Sequence, residues 1–272
     1  MNEAEQQFWD LCQFPLSEEA PLIMEQDLQQ AVIEESDHFL VLNKPGWMVC
    51  HPSKNGPWSS LVGAVREWKQ WDKMHLVARL DRETSGVVVI ARHRLAARTV
   101  QMAIERREVD KQYLAILRGE MKHPCAVYLP IGPDRDSPIV IRQKAWYDRT
   151  TQEATTHFHP LYSGNGYTLA KVDLVTGRKH QIRVHAEAIG YPVLGDKIYG
   201  RQDTLYLDFI EKGVLPEMKQ SLGFPRQALH CHSMELDWKE SRLRWVAPIP
   251  EEFRLFQQIF WPEAQSLFDH LS

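Results

Sequence analysis

The residues best placed to do chemistry lie in the string Arg79-Leu80-Asp81-Arg82-Glu83-Thr84-Ser85-Gly86. An aspartate flanked by two arginines is held ionised, because neighbouring positive charge lowers a carboxyl pKa. An ionised carboxylate serves as a nucleophile or a base. An isolated Arg-x-Asp is more often a solvated turn with weak surface ion pairs, so this string needs support from the rest of the chain. A second string runs Thr176-Gly177-Arg178-Lys179-His180-Gln181-Ile182-Arg183-Val184-His185, then Gly190-Tyr191-Pro192 and Gly195-Asp196-Lys197-Ile198-Tyr199-Gly200. A helix beginning after Thr176 and Gly177 would present backbone N–H groups together with Arg178, Lys179 and His180, an arrangement that binds phosphate. Arg183 shares the face of His180 and could reach a buried carboxylate with its guanidinium fork. Taken alone, the same charge run is equally a solvated basic helix.

Twelve histidines raise a metal reading, with His157-Phe158-His159 and His230-Cys231-His232 as the candidate ligand pairs. Alternate residues on a strand share a face and can bind one ion. Neither pair is completed by a carboxylate or cysteine cluster of recognised spacing, so ordinary hydrogen-bonded histidines are expected and no metal site is assigned. A metal-dependent nuclease built on Asp81 and Glu83 is the corresponding alternative chemistry; it would need Mg²⁺ and break strands.

The elements that must position these residues follow from hydrophobic spacing. Residues 38–49 read as two strands around Pro45-Gly46, 59–71 as a helix, 87–91 as a buried strand, 95–108 as a helix and 113–117 as a strand. Alternation between turn residues over 126–173 predicts antiparallel strands. A helix is predicted over 180–189, ended by Gly190 and Pro192. Strands over 229–238 and 243–246 and a helix over 251–260 complete the chain. Strands and long helices do not alternate regularly, which disfavours a doubly wound sheet and predicts an α+β chain with a mixed, mainly antiparallel sheet flanked by helices and loops.

The two strings together resemble the RluA-like family of pseudouridine synthases. The family pattern H-R-L-D-x-x-T-S-G is met from Arg79 to Gly86, and T-G-R-x-H-Q-I-R-x-H, G-x-P and G-D-x-x-Y-G are met from Thr176 to Gly200. Weaker matches are Asn43-Lys44-Pro45-Gly46 with His51, and Leu229-His230 with Pro248. The resemblance implies the pseudouridine synthase catalytic fold and an isomerase that converts uridine to pseudouridine in structured ribosomal or transfer RNA. No redox cofactor or metal is implied. By the same resemblance Asp81 is the catalytic carboxylate, Arg183 pairs with it, and Tyr113 of Lys111-Gln112-Tyr113 stacks on the everted base. Arg79, Arg82, Thr84, Arg178, His180 and Gln181 are the expected substrate-binding residues. A uridine within folded RNA must be flipped out to reach a pocket, and Arg79 is expected near the vacated position. Where the family has His, this chain has Ala78; the sibling RsuA family commonly carries a small residue there, so a lost supporting contact is expected rather than lost catalysis.

Charge is distributed unevenly. Residues 1–37 hold ten Asp or Glu and no Lys or Arg, leaving 32 basic against 26 acidic residues in 38–272, a net of +6 within a chain of net −4. A basic body with an acidic extension is compatible with RNA binding, which depends on local field. Arg92, Arg94, Arg98, Arg106 and Arg107 are candidates to follow phosphates, or a solvated helical face. The acidic extension 1–37 reads as short helices interrupted near Pro15 and Pro21, packed as cover on a catalytic domain 38–272 through Phe8, Trp9, Leu11 and Leu22. Four scattered cysteines, no apolar run of spanning length and no secretory layout predict a cytoplasmic protein without a membrane segment, expected as a monomer. The alternative in another class is a non-catalytic RNA-binding or RNA-folding factor on the same scaffold.

Overall fold

The computed structural model describes residues 1–12, 21–51 and 55–271. In chain order the elements begin with α1 (Glu3–Leu11), α2 (Glu25–Ala31), β1 (Val32–Glu35), β2 (Phe39–Lys44), α3 (Leu61–Lys69), β3 (His75–Leu76), β4 (Ser85–Ala91) and α4 (Arg94–Glu105). Next come β5 (Val109–Arg118), β6 (Cys125–Val127), β7 (Ile131–Pro133), β8 (Gln143–Ala145), β9 (Thr156–Gly164), β10 (Tyr167–Leu174) and α5 (Gln181–Ala188). The chain ends with α6 (Asp203–Lys212), α7 (Pro216–Leu222), β11 (Leu229–Trp238), β12 (Ser241–Val246) and α8 (Glu251–Phe260). Two compact units result: Met1–Glu18, Gln112–Leu229 and Ile249–Ser272 form the first, Glu19–Lys111 and His230–Pro248 the second.

In the second unit β4 is the organising strand. Its run Ser85-Gly86-Val87-Val88-Val89-Ile90-Ala91 is buried throughout, as β-branched residues favour in a strand covered on both faces. It pairs antiparallel with β2 and β3 and runs parallel to the start of β11 through His230↔Ser85 and Cys231↔Gly86. Period-two alternation puts Leu40, Leu42, Val88 and Ile90 into one core, where they meet Leu28, Ala31, Leu61 and Val65 of α2 and α3. Burying each such side chain stabilises the unit by about 1.5–3 kcal/mol. Ser60 caps α3 by accepting the Gly63 N–H at 3.2 Å.

Residues 38–49 differ from expectation: β2 ends at Lys44, and no second strand follows the Pro-Gly step. The Lys44 ammonium donates to the carbonyls of Pro45 and Met48 at 3.0 and 2.9 Å and so rolls the segment into a turn. On the edge away from β4, β2 pairs with β1, within the acidic stretch.

In the first unit β5, β10, β9 and β6 lie side by side, all antiparallel. The β9–β10 hairpin turns on Asn165-Gly166, both at positive φ (53° and 80°), the conformation a two-residue hairpin needs and Asn-Gly supplies. Helix α1 opens with a capping box between Asn2 and Glu5. It buries Phe8 against Phe224, Phe256 and Phe260, at ring distances of 5.3, 5.6 and 6.1 Å.

Phe8 and Trp9 are buried as expected, whereas Leu11 and Leu22 are exposed; Leu22 gives way to Ile23, which enters the second unit's core. The acidic extension is therefore divided: α1 belongs to the first unit, and α2 with β1 to the second. The break expected near Pro15 lies outside the described residues. Helices α6 and α7 were not foreseen, although Pro216 at the start of α7 and glycines beyond both helices punctuate them. No helix among the described residues is long and apolar enough to cross a membrane.

Candidate active-site elements

Asp81 sits in a tight turn at the mouth of β4, closed by the Thr84 N–H donating to the Asp81 carbonyl at 3.1 Å. Two buried groups brace that turn. The Lys44 ammonium, fully buried, donates to the Arg82 carbonyl at 2.9 Å in addition to Pro45 and Met48. Three carbonyls around one ammonium satisfy its three donors and offset its desolvation. On the following residues, Ser85 Oγ lies 2.9 Å from His230 Nδ1. Gly86, at φ 112°, presses so closely on β11 that a Cβ would lie 2.1 Å from the Cys231 carbonyl oxygen. Thr84 is buried, Asp81 and Arg82 are half-buried, and Arg79 is exposed. Exposure leaves Arg79 reachable by a large ligand, while burial gives Thr84 a share in holding the turn. Burial, and then the charge of Arg79, hold the His51 pKa below its ordinary value, so the neutral ring is favoured beside that arginine.

The second group of expected residues lies in the first unit. Helix α5 starts at Gln181, later than a start directly after Gly177 would give, because His180 adopts a left-handed conformation (φ 57°) that begins the helix abruptly. The Gln181 amide explains the preceding loop. Its Oε1 accepts from Thr176 Oγ1 at 2.7 Å and from the Arg178 N–H at 2.9 Å, and its Nε2 donates to the Thr155 carbonyl and Thr156 Oγ1, both at 2.9 Å. Two acceptances and two donations saturate an amide. Gln181 is thus a buried latch for the 176–178 loop. Arg178 is exposed beside it, with Nε donating to the Glu153 carbonyl at 3.0 Å. His180 Nδ1 lies 2.8 Å from the Tyr199 hydroxyl, which itself accepts the Gln143 N–H.

Arg183 is buried on α5 and forms a bidentate pair with Asp196, Nε to Oδ2 at 2.6 Å and Nη2 to Oδ1 at 2.9 Å. Its guanidinium stands over the Tyr199 ring at 4.9 Å. Asp196 also accepts the N–H groups of Ile198 and Tyr199. Burial alone would raise the Asp196 pKa; the charge and hydrogen bonds of Arg183, with those two N–H groups, outweigh it and hold the carboxyl below its ordinary value. The carboxylate orienting Arg183 was not foreseen, although both residues stand in the matched motifs and Gly190 with Pro192 turns the chain back between them. Arg142 completes the frame, bridging Asp134, Glu187 and Asp203, with its guanidinium 5.2 Å from the centre of the same tyrosine ring. Tyr113 is a buried β5 residue paired with Val172 of β10.

The arginine cluster also separates. Arg92 donates to the Ser36 carbonyl at 2.9 Å and stacks on Trp71, so it is structural. Arg94, Arg98, Arg106 and Arg107 are exposed on α4 and its C-terminal turn. Of the histidine pairs, His159 bonds Asp173 at 3.2 Å and His232 faces the Ala247 carbonyl. No group of three or more potential metal ligands is assembled among the described residues.

Residues 38–188 match the sequence model of a family described as RNA pseudouridylate synthase. Curated relatives include ribosomal large subunit pseudouridine synthase D of Pseudomonas aeruginosa, 33% identical over 239 residues, spanning 84% of this chain and 71% of that protein. The uncharacterized RNA pseudouridine synthase YjbO of Bacillus subtilis is 30% identical over 249 residues, spanning 89% of this chain and 80% of that one. Among solved structures, human RNA pseudouridylate synthase domain containing 4 superposes with a TM-score of 0.68 at 23% identity, covering 86% of this chain and 94% of its own. Human RNA pseudouridylate synthase domain containing 1 gives 0.62 at 24% identity, with 88% and 87% covered. These two share the fold, a mainly antiparallel sheet with flanking helices.

Proposed function

We infer the working centre from one premise: this chain belongs to the RluA-like family of RNA pseudouridine synthases, the isomerases that turn uridine into pseudouridine within RNA. The chemistry breaks an N-glycosidic bond, turns the released uracil while it stays bound, and rejoins it through C5. Asp81 is the catalytic carboxylate of our reading, supported above all by its turn, which a buried ammonium and the Ser85–His230 contact hold at the start of a fully buried strand. Attack on the uracil ring, attack on the sugar and proton removal from the ribose all require that carboxylate ionised.

Arg183 is proposed as its ion-pair partner. A guanidinium carries five donors, so engagement of Nε and Nη2 by Asp196 is compatible with a second carboxylate and supports a fixed orientation for it. Tyr113 is proposed to stack on the flipped base. Arg79, Arg82, Thr84, Arg178, His180 and Gln181 are proposed to meet the RNA, with the buried Thr84 and Gln181 also shaping the turns that carry the others.

The target we propose is a uridine of ribosomal RNA, following the relatives named for the large ribosomal subunit; transfer RNA is the other candidate. Residues 38–272 are read as the catalytic domain and 1–37 as structural cover. We read the protein as a cytoplasmic monomer; four free cysteines suit a reducing compartment.

The experiment is a map of pseudouridine in total RNA from a strain lacking this gene, complemented with the parent or with Asp81→Asn. The parent should restore one or more missing pseudouridines and the variant none, while both bind RNA alike. Restoration by Asp81→Asn would remove Asp81 from the chemistry, and an unchanged map would sink the reading.

A further inference from the structure

Two arginines of the first unit converge on one backbone oxygen. Arg118 Nη2 donates to the Ser221 carbonyl at 2.9 Å, and Arg201 Nη2 donates to the same oxygen at 2.5 Å. Neither guanidinium has a carboxylate within ion-pair distance among the described residues. The nearby Asp196 is taken up by Arg183. Burial, and then the charge of Arg118, depress the Arg201 pKa. Among the described residues the two half-buried guanidiniums donate only to backbone carbonyls, those of Ser221, Leu222 and Gly200, and carbonyl dipoles do not balance two cations.

Arg201 opens onto a cleft of about 720 Å³ beside α6 and α7, whose border includes Gln202, Thr204 and Ser221. Gln202, which precedes α6 without a side-chain cap, lines the cleft with Thr204 of the helix's first turn. The acidic residues around the cleft are largely neutralised: Glu187 by Arg142 and the Gly200 N–H, and Asp208 by Lys212 at 2.7 Å. Glu217, which also lines the cleft, is exposed and disfavours a run of anions.

We propose that Arg201, backed by Arg118 and flanked by Thr204, forms a binding subsite for one phosphate group, placed outside the residues that carry the isomerisation. In a protein that acts on RNA, the ligand is a backbone phosphodiester of the bound strand; this choice of source rests on the functional reading above. A free phosphate group offers the same chemistry. The volume accommodates the phosphate with its sugar, and the single uncompensated cationic pair limits the contact to one.

The test uses the full chain in two arms. In the first, binding of a large-subunit ribosomal RNA transcript is measured against salt for the parent, Arg201→Gln, Arg201→Lys and Arg118→Gln. Loss of one phosphate contact should lower the salt slope of Arg201→Gln by about 1 and weaken binding across RNA sequences. Arg201→Lys should restore most of it. In the second arm, melting of the parent is followed with inorganic phosphate against chloride at equal ionic strength, and phosphate should raise the transition. This arm needs no variant, so a folding defect in Arg201→Gln does not obstruct it. A changed slope assigns the subsite to the RNA backbone; phosphate protection with an unchanged slope assigns it to a free phosphate group. An unchanged slope together with no phosphate-specific protection overturns the subsite. Should the parent bind no RNA, the functional reading falls, and the second arm still decides the subsite.

Discussion

A carboxylate serves an isomerase only while it is ionised and still, and the residues around position 81 bear on both conditions. Lys44 is the clearest case, a buried cation whose hydrogen bonds tie the Arg82 carbonyl of the turn to the carbonyls of Pro45 and Met48. Lys44→Met should leave those carbonyls unsatisfied and cost about 3 kcal/mol or more, read as a lowered denaturation midpoint; an unchanged midpoint would show that Lys44 does not brace the turn.

Acid should also act through single residues. The His185 pKa is lowered, first by burial, with the Leu129 carbonyl opposing; its Nδ1 faces Thr156 and its Nε2 faces Leu129. A histidine with a depressed folded pKa contributes stability that is complete above its unfolded value, about 6.5, and is lost as pH falls below it. The Asp196 carboxyl, also depressed, contributes stability above its ordinary carboxylate value and loses it as pH falls through the folded one. Melting followed from pH 7 downward should therefore decline in two stages. Asp196→Asn should remove the lower stage, and a profile identical to the parent's would refute the assignment.

Among the elements, α1 shows how a sequence pattern can be right about burial and incomplete about partners. Phe8 and Trp9 are inside, but Leu11, the last residue of the helix, is exposed. Phe8→Ala should cost about 3–5 kcal/mol by emptying that cluster, whereas Leu11→Ala should change stability by less than about 0.5 kcal/mol. Comparable melting temperatures for the two variants would contradict this packing. Strand β1 teaches a second lesson: its residues Val32-Ile33-Glu34-Glu35 look like the end of an acidic arm, yet their backbone completes the edge beside β2. Backbone pairing is indifferent to side-chain charge, so a charge count could not reveal it.

For the molecule as a whole, the basic surplus of residues 38–272 should appear as salt-dependent RNA affinity. Arg94→Gln combined with Arg98→Gln on the exposed side of α4 should reduce the salt slope by up to about 2; an unaltered slope would make that face merely solvated. Much was legible beforehand. The strings around Asp81 and Arg183 carried the family, and period-two and helical spacing located β4, α3, α4, α5, β11 and α8, because local periodicity is written directly into neighbouring residues. Tertiary structure alone decided that Asp196 orients Arg183, that Lys44 holds the Asp81 turn, that Gln181 is a latch and that Arg118 and Arg201 donate to the same Ser221 carbonyl. Each of these joins groups through space by a directional hydrogen bond, and such a bond leaves no periodic trace along the chain that makes it.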